Sequence, residues 1–359
     1  MKKIYSLVLL ITAAISLGQN GAPASPYYNG FNWTQTGTNL KNALATKIAL
    51  THINQLSYSQ VWNALKIVDL DPTNSNNVLL IYGWENGSDG DVTNDRSRDK
   101  NMNGGAVGEW NREHVFAQSL GNPDLGQEGP GADAQMLRAS DVQRNGTRGN
   151  RKFGSGSGNS NTVGINWYPG DEWKGDCARI IMYMYLRYGD QCLPTYVFTG
   201  SPVASDANML DLLLQWNAED PVSQYEDTRN TYLGNTNNSF GQGNRNPFID
   251  NPYLATVIWG GPVAQNRWPN VVFLSNDTFS ALSDVSIFPN PSNDQKINIE
   301  TEAEIDLIQL ITINGQLMME IKNPTRVQNS YTVENIPNGF YFVKITSESN
   351  TITKKVIIN

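Results

Sequence analysis

Apolar residues recur at helical spacing in two stretches of the chain. In LSYSQVWNALKIVDLD, the side chains of Val61, Leu65 and Val68 fall on one face of a helix. WKGDCARIIMYMYLRYGD is apolar over most of its length, and it predicts a buried helix over roughly residues 174–188. The chain is therefore expected to contain two helices that contribute to a core.

A third, shorter helix is predicted after residue 140. Ser140 and Gln143 have the S-x-x-Q spacing of a capping box, in which the serine and glutamine side chains satisfy backbone N–H groups at a helix start. Asn145 would then lie about one turn inside this helix.

Two strands are predicted upstream of this helix. NVLLIYGW, residues 77–84, is short and apolar, and AVGEWNREHVF, residues 106–116, has the composition of a second strand. The intervening residues 85–108 carry few apolar side chains and many Gly, Asp and Asn. They therefore predict a long surface loop.

The composition and pattern of the sequence change after about residue 261. Short runs rich in Ile, Val, Thr and Tyr alternate with turn sequences, among them Asn314-Gly315 and Pro337-Asn338-Gly339. This pattern predicts a small all-β sandwich of about 75 residues. The region contains no Cys, no His and no cluster of candidate catalytic groups.

The first residues have the pattern of a signal peptide. Lys2 and Lys3 precede an apolar run from Ile4 to Leu17, and small residues suit cleavage near Gly18. This run is too short and too early for a membrane span, and no other long apolar run follows it. The mature protein is expected to be exported and soluble, without a stable membrane span.

Charge is distributed unevenly along the chain. The 359 residues are enough for two domains. Their formal net charge of -8 argues against an attraction of the whole protein to nucleic acid. Between residues 134 and 152, five basic residues accompany a single acidic one, Asp141. Such a local patch can hold a phosphate backbone without reading bases. Its basic members are Arg138, Arg144, Arg148, Arg151 and Lys152.

The two cysteines, Cys177 and Cys192, stand near the two ends of the predicted buried helix. About four helical turns separate them, roughly 20 Å along the axis. A disulfide would require the chain to double back at once, so two buried thiols are expected.

Only two histidines occur, His52 and His114, and His114 stands next to Glu113. Histidine is a natural general base near neutral pH, and a carboxylate is a hard ligand for Mg²⁺ or Ca²⁺. The side-chain carbonyl of Asn145 offers a second such ligand. A base, a hard cation and nearby arginines together suit hydrolysis of a phosphodiester. The residues alone also allow a structural histidine, an asparagine at a turn and arginines on a solvated helix face.

Four ordered motifs carry a resemblance to a known family: WNREHVFAQSL, GPGADAQMLRASDVQRNGTRGN, WKGDCARIIMYMYLRYGD and QGNRNPFIDNP. Over roughly residues 50–260 they resemble the endonuclease I family of secreted bacterial nucleases, which belongs to the ββα-metal or His-Me finger class. The resemblance implies an α+β fold, with a ββα-metal core and surrounding helices. It also implies a sequence-non-specific endonuclease that hydrolyses DNA, with RNA as a second candidate substrate.

The resemblance also implies roles for individual residues. It makes His114 the general base, and it makes Glu113 and Asn145 the direct ligands of one divalent metal. That metal is usually Mg²⁺, with Ca²⁺ or Mn²⁺ as alternatives. Arg138 or a neighbouring arginine would steady the scissile phosphate. The other basic residues near these motifs are expected to contact nucleic acid: Arg112, Arg144, Arg148, Arg151 and Lys152.

One segment departs from the family pattern. The family carries D-x-H-H/N-L, whereas this chain has Gln135 and Met136 between Ala134 and Leu137. The replaced groups would orient a ligand or a water molecule. The departure therefore puts the rate or the metal affinity in question, more than the type of reaction.

The end of the chain resembles a second family. FPNPSN, TINGQ, IPNGFYFVKI and the terminal KKVIIN are similar to the C-terminal sorting domain of the type IX secretion system. The predicted β sandwich agrees with that resemblance and is expected to be immunoglobulin-like. A carbohydrate- or surface-binding module is the rival interpretation, which exposed aromatic residues on one sheet face would favour.

Four segments are therefore expected: a signal peptide (1–18), an endonuclease domain (19–262), a linker (263–283) and a sorting domain (284–359). The protein is expected to be secreted to the medium or the cell surface, with nucleic acid as substrate and the secretion machinery as partner. The alternative is a catalytically weakened homologue that binds extracellular nucleic acid. A phosphatase is a third candidate.

Overall fold

The computed structural model describes residues 21–273, 285–301, 303–347 and 350–359. The chain divides into two units, Met1–Leu274 and Ser275–Asn359. The predicted signal peptide and part of the predicted linker lie outside the described residues. Within the described ranges, no helix is long and apolar enough to cross a membrane.

The first unit mixes helices with short strands. Its α-helices are α1 (Gly37–Thr51), α2 (Tyr58–Val68), α3 (Val142–Arg148), α4 (Lys174–Tyr188), α5 (Pro194–Val197), α6 (Asp211–Glu219), α7 (Gln224–Leu233), α8 (Pro247–Asp250) and α9 (Tyr253–Trp259). Its strands are β1 (Leu70–Asp71), β2 (Asn74–Leu79), β3 (Ser97–Asp99), β4 (Trp110–His114), β5 (Leu137–Asp141), β6 (Asn161–Val163), β7 (Asn166–Tyr168), β8 (Pro202–Val203) and β9 (Asp206–Leu210). Short 3-10 helices lie at Gln118–Leu120, Gly129–Ala132 and Gly189–Cys192.

The two helices predicted from apolar spacing are confirmed. α2 begins at a capping box between Ser57 and Gln60, and it buries Val61 and Leu65. α4 is buried along almost its whole length and packs against α1 and α6, which explains why apolar residues predominate on all its sides. Cys177 and Cys192 are free, buried thiols, as expected.

The third predicted helix exists, but its cap is a different residue. The N-cap of α3 is Asp141, whose carboxylate accepts a hydrogen bond from the backbone N–H of Arg144 (2.8 Å). Ser140 still belongs to β5, where its hydroxyl donates to the carbonyl of Ile81 (3.3 Å). The predicted capping box is therefore wrong, because Ser140 lies in the strand that precedes the helix and its hydroxyl is hydrogen-bonded there.

The strands of the first unit form small antiparallel sheets. β1, β2 and β3 form one sheet, in which β3 lies inside the segment predicted to be a loop. β4 and β5 pair separately, with His114 opposite Leu137. Past the end of β2, the backbone N–H of Ile81 donates to the carbonyl of Ala139 (2.8 Å), so the predicted strand NVLLIYGW continues alongside β5.

The core of the first unit extends into the predicted linker. Trp268 is fully buried, and its ring packs against those of Trp33 (4.8 Å between centroids) and Tyr28 (5.6 Å). Phe273 packs on the same core. Residues 263–273 are thus part of the folded unit, in contrast to the expected linker.

The second unit is all-β. Its strands are β10 (Ser286–Phe288), β11 (Ile297–Glu300), β12 (Leu307–Thr312), β13 (Leu317–Lys322), β14 (Ser330–Val333), β15 (Gly339–Ser347) and β16 (Asn350–Ile358). They form antiparallel sheets of three strands (β10-β11-β14) and four strands (β13-β12-β15-β16), which share one hydrophobic core. As predicted, turns occur at both sites: Asn314-Gly315 lies between β12 and β13, and Pro337-Asn338 precedes Gly339, the first residue of β15. Phe340 and Phe342 are exposed on β15.

Candidate active site

The end of β4 and the last turn of α3 meet at one cleft. The antiparallel pairing places Trp110 opposite Asp141, and Asp141 then caps α3. Because β5 runs directly into α3, the helix begins beside the start of β4 and runs back along this strand, so that its last turn lies beside the end of β4. The cleft has a volume of about 240 Å³ and is lined by Arg112, Glu113, His114, Ala117, Gln118, Ser119, Asn145, Arg148, Gly149 and Asn150. The three residues predicted as base and metal ligands thus line the same cleft.

His114 is half-buried and has one ring nitrogen held by the backbone. Its Nε2 lies 2.9 Å from the carbonyl oxygen of Gly131. A carbonyl only accepts, so Nε2 carries the proton in the neutral ring and Nδ1 keeps a free lone pair. Burial lowers the pKa of His114 to about 4; the charges of Arg112 and Arg148 act in the same direction, and the hydrogen bond to Gly131 opposes them. The imidazole is therefore neutral at neutral pH.

Two aromatic contacts fix the surroundings of this ring. The ring of Tyr58, at the start of α2, stacks on that of His114, with centroids 5.4 Å apart and planes at 28°. The guanidinium of Arg112 lies over the same tyrosine ring, 3.4 Å from its centroid, and 4.2 Å from that of Trp62. Arg112 also donates a hydrogen bond to the carbonyl of Tyr58. This arginine is half-buried and presents its charge beside His114.

Glu113 is almost fully buried, and one of its two carboxylate oxygens contacts neighbouring side chains. Its Oε1 accepts a hydrogen bond from the hydroxyl of Tyr82 (2.8 Å) and lies 3.3 Å from Nη1 of Arg148. For Oε2, no partner is recorded among the residues that the structure describes. Burial raises the pKa of Glu113, whereas Arg148 and the hydrogen bond from Tyr82 lower it.

In the side chain of Asn145, the amide nitrogen is likewise hydrogen-bonded, whereas the amide oxygen remains available as an acceptor. Its Nδ2 donates to Oδ1 of Asn111 (2.7 Å), which orients the amide and leaves Oδ1 of Asn145 as an acceptor. Asn111 was not assigned a role from the sequence. It stands two residues before Glu113 on β4, and the alternation of a strand puts such residues on one face.

These oxygens suit a hard divalent cation. Oε2 of Glu113 and Oδ1 of Asn145 are a carboxylate and an amide oxygen, the donors that Mg²⁺, Mn²⁺ and Ca²⁺ accept. Mg²⁺ commonly keeps several waters and needs only one or two carboxylates from the protein. Across the described part of the chain, no group of three or more His, Cys, Asp or Glu side chains could hold a metal ion. A cation here would therefore be held by few protein ligands.

Arg138 does not lie in the cleft, which corrects its expected contact with the scissile phosphate. Its side chain is 1% exposed; Nη1 donates to Asp176 on α4 (3.0 Å), and Nε donates to the hydroxyl of Tyr225 on α7 (3.1 Å). Arg138 is paired with Glu113 across the strands, but the buried carboxylate of Asp176 holds its guanidinium inside the protein. Arg138 is therefore an interior ion-pair partner.

Arg148 lines the cleft from inside. It is buried, and its guanidinium donates to the carbonyls of His114 (3.0 Å) and Val115 (2.8 Å). These bonds tie the end of α3 to the end of β4. Arg148 therefore positions the two elements of the site and has little surface to offer to nucleic acid.

The other predicted basic residues lie outside the lining of the cleft. Arg144 packs over the ring of Trp84, 4.2 Å from its centroid. Arg151 donates to backbone carbonyls at the end of α3, and Nζ of Lys152 donates to the carbonyl of Thr195 (2.8 Å). The charges that are clustered in the sequence thus contact different parts of the structure.

The positions that depart from the family pattern are in the interior. Met136 is fully buried, and Nε2 of Gln135 donates to the carbonyl of Asn244 (3.1 Å). Neither residue lines the cleft. Both belong to the buried surroundings of Asp133, which accepts hydrogen bonds from the hydroxyls of two tyrosines, Tyr183 and Tyr188.

Comparisons with known proteins agree with this division of the chain. The family model for Endonuclease I matches residues 36–253, and the model for the secretion system C-terminal sorting domain matches residues 286–359. An extracellular ribonuclease of Bacillus subtilis (strain 168) is 44% identical over 261 residues, which cover 68% of this chain and 84% of that protein. One from Bacillus amyloliquefaciens is 44% identical over 235 residues, covering 63% and 75%. A solved structure of PorZ from Porphyromonas gingivalis aligns with 24% of this chain and 13% of its own length, at 14% identity and a TM-score of 0.19, too low to support a comparison of folds.

Proposed function

Because this chain belongs to the Endonuclease I family and is a nuclease that hydrolyses phosphodiester bonds, we propose that it is a divalent-metal-dependent endonuclease with His114 as its general base. The family resemblance seen in the motifs is confirmed, as is that of the sorting domain. The sorting domain directs the protein through type IX secretion to the cell surface or the extracellular space.

The observation that carries the proposal is the meeting of Glu113, His114 and Asn145 at one cleft. Nδ1 of His114 takes a proton from a water molecule, and the water oxygen forms a bond to phosphorus. The bond from phosphorus to the 3′ oxygen breaks and this oxygen takes up a proton from solvent water, which leaves a 5′-phosphate and a 3′-hydroxyl. General-base catalysis of this kind contributes about 10²–10⁴-fold to the rate.

Glu113 and Asn145 would hold the cation, through Oε2 and Oδ1. When bound, a divalent cation neutralises the charge that develops on the phosphate and on the leaving oxygen. Mg²⁺ is the proposed metal, and Mn²⁺ and Ca²⁺ offer the same preference for oxygen ligands. Arg112 is the arginine proposed to contact the scissile phosphate, because it lines the cleft and is only half-buried, whereas Arg138 is fully buried.

The proposed substrates are RNA and DNA. RNA is supported by the relatives, which are named ribonucleases, and DNA is the substrate that the resemblance of the sequence motifs implies. Contacts of Arg112 with phosphate carry no sequence information, which favours cleavage without sequence preference. The arrangement of β4, β5 and α3 supports assignment to the ββα-metal class, and the two sheets of the second unit support an immunoglobulin-like sandwich.

The alternative function is that of a weakened homologue that only binds nucleic acid, and Gln135 and Met136 are where this chain departs from the family pattern. Both side chains lie in the interior and not in the cleft, so the departure from the family pattern leaves the proposed base and ligands in place. The geometry therefore favours an active enzyme.

Cleavage of plasmid DNA and of a long RNA, with Mg²⁺ and with EDTA, tests the proposal. His114→Ala should lower the rate about 10²–10⁴-fold, because it removes the base. The matched control is His52→Ala, at the other histidine, which contacts Gln242 and Arg187 away from the cleft. A His114→Ala protein that cleaves at the wild-type rate, or wild-type cleavage that EDTA leaves unchanged, would contradict the proposal.

A further inference from the structure

Tyr82 lies beneath the cleft in an unusual backbone conformation. Its φ is 77°, in the left-handed region that bulky side chains rarely adopt. Its side chain is fully buried, and its hydroxyl donates the 2.8 Å hydrogen bond to Oε1 of Glu113. A strained residue thus contacts a proposed metal ligand directly.

The surrounding structure holds this conformation in place. The hydroxyl of Ser160 donates to the carbonyl of Tyr82 (2.6 Å), and the indole N–H of Trp173 donates to the carbonyl of Gly83 (2.8 Å). A Cβ on Gly83 would lie 2.1 Å from the carbonyl oxygen of Asp95, so the chain passes here only with glycine. Strain of this kind persists where neighbouring groups over-determine it, and it is concentrated at functional sites.

We propose that Tyr82 is a positioning residue, which orients the carboxylate of Glu113 for the metal. The inference rests on the proposed function, in which Glu113 is a ligand. Tyr82 and Arg148 both contact Oε1, and Oε2 has no recorded partner in the described part of the chain. A carboxylate that is fixed in this way is already oriented before the metal arrives, and loss of such an orienting group weakens metal binding.

A purely structural role is the competing explanation, because any buried carboxylate requires hydrogen-bond donors. The chain offers a matched control for it. Tyr183 is also fully buried, and its hydroxyl donates to the carboxylate of Asp133 (2.6 Å), which does not line the cleft. Tyr82→Phe and Tyr183→Phe each remove one buried hydroxyl from one buried carboxylate, but only the first would affect the metal ligand.

The experiment measures Mn²⁺ affinity of the exported protein by electron paramagnetic resonance, without nucleic acid. Tyr82→Phe should weaken Mn²⁺ binding about 10–100-fold, whereas Tyr183→Phe should bind as the wild type does. Both variants should remain folded, although Tyr183→Phe also loses the hydrogen bond that its hydroxyl accepts from Nδ2 of Asn244 (2.6 Å). Equal Mn²⁺ affinity in the wild type and both variants would overturn the inference.

Two further variants keep the result interpretable. If Tyr82→Phe does not fold, Ser160→Ala removes one support of the Tyr82 backbone and should weaken Mn²⁺ binding in the same direction; unchanged affinity would count against the inference. Glu113→Gln tests the proposed function separately. Unchanged Mn²⁺ affinity in Glu113→Gln means that Glu113 is no ligand. Weakened binding there, with wild-type binding in Tyr82→Phe, overturns only the role of Tyr82.

Discussion

The three side chains proposed to act in the cleft share one property. In each side chain, one polar atom is hydrogen-bonded to the protein and a second polar atom remains available to substrate or metal. Nε2 of His114 is bonded to Gly131, Oε1 of Glu113 to Tyr82, and Nδ2 of Asn145 to Asn111. The atoms left over are a ring nitrogen and two oxygens, which are those that the proposed reaction requires. Groups held in this way need little rearrangement when substrate binds.

The stack of Tyr58 on His114 leads to a first prediction. Tyr58→Leu should lower kcat about 10–100-fold with little change in KM, because an imidazole that is held only by its hydrogen bond to Gly131 spends less time in the productive orientation. Tyr58→Phe keeps the stacked ring and should retain most of the rate. Steady-state cleavage of an oligonucleotide at saturating Mg²⁺ measures both constants.

The control for this prediction is Tyr232→Leu, at a half-buried tyrosine of α7 outside the cleft. It should leave both constants unchanged. If Tyr58→Leu lowers the rate to the same extent in a His114→Ala background, then Tyr58 acts by some route other than the base.

Asp220 leads to a prediction about pH and stability. Its carboxylate accepts a hydrogen bond from the backbone N–H of Gly175 (2.8 Å), yet burial raises its pKa to about 6, against the opposing effects of Arg179 and of that hydrogen bond. The folded state therefore binds a proton that the unfolded state releases near pH 4. This carboxyl group contributes stability below about pH 4, and that contribution is lost as pH rises through about 6.

Asp220→Asn removes this titration and keeps a side-chain oxygen for Gly175. The free energy of unfolding of the variant, minus that of the wild type, should increase between about pH 4 and 6 and stay constant above. Urea denaturation at several pH values measures it. A difference that does not vary with pH would show that Asp220 has an ordinary pKa.

At the scale of elements, the site depends on how α3 is attached to β5. The carboxylate of Asp141 caps α3 through Arg144 N–H (2.8 Å) and also accepts a hydrogen bond from Nη1 of Arg98 (2.7 Å). The side chains of Arg98 and Asp141 are both buried. One residue thus ends a strand, begins the helix that carries Asn145, and balances a buried arginine.

Asp141→Ala should therefore destabilise the protein by about 2–4 kcal/mol, because it removes a cap and one of the two carboxylates paired with the buried Arg98, the other being Asp95 (3.1 Å). Ser140→Ala, at the residue that the sequence pattern favours as the cap, should cost only about 1 kcal/mol, for one hydrogen bond. Urea denaturation of the two variants compares them. The reverse order would mean that Ser140 is the functional cap.

The sequence predicted those elements whose pattern is local. α4 is apolar along its length and α2 has apolar residues at helical spacing, so both were predicted, and Glu113 and His114 are neighbours on one strand. Gly131, Tyr58 and Tyr82 reach the site only through tertiary packing, and no spacing in the sequence connects them. Arg138 shows the opposite error: a charge that is close to the site in sequence is drawn inside by a carboxylate on another helix.

At the scale of the whole molecule, the two units have separate hydrophobic cores. The proposed base, ligands and arginine all belong to the first unit, and the second matches a sorting domain. The first unit should therefore fold and cleave nucleic acid alone. Its end is set by the aromatic cluster of Tyr28, Trp33, Trp268 and Phe273, which includes residues that the sequence placed in a linker.

Two truncated proteins test where the catalytic unit ends. A chain of residues 19–273 should cleave RNA and plasmid DNA with the same Mg²⁺ dependence and nearly the same rate as the exported full-length protein. A chain of residues 19–264 lacks Trp268, and loss of a buried tryptophan typically costs about 3–5 kcal/mol. It should melt at a clearly lower temperature, while any folded fraction cleaves normally.

Two outcomes would contradict these expectations. If the longer chain folds but is inactive, the β unit takes part in catalysis or substrate binding. If both chains melt at the same temperature, Trp268 contributes nothing to the stability of the core.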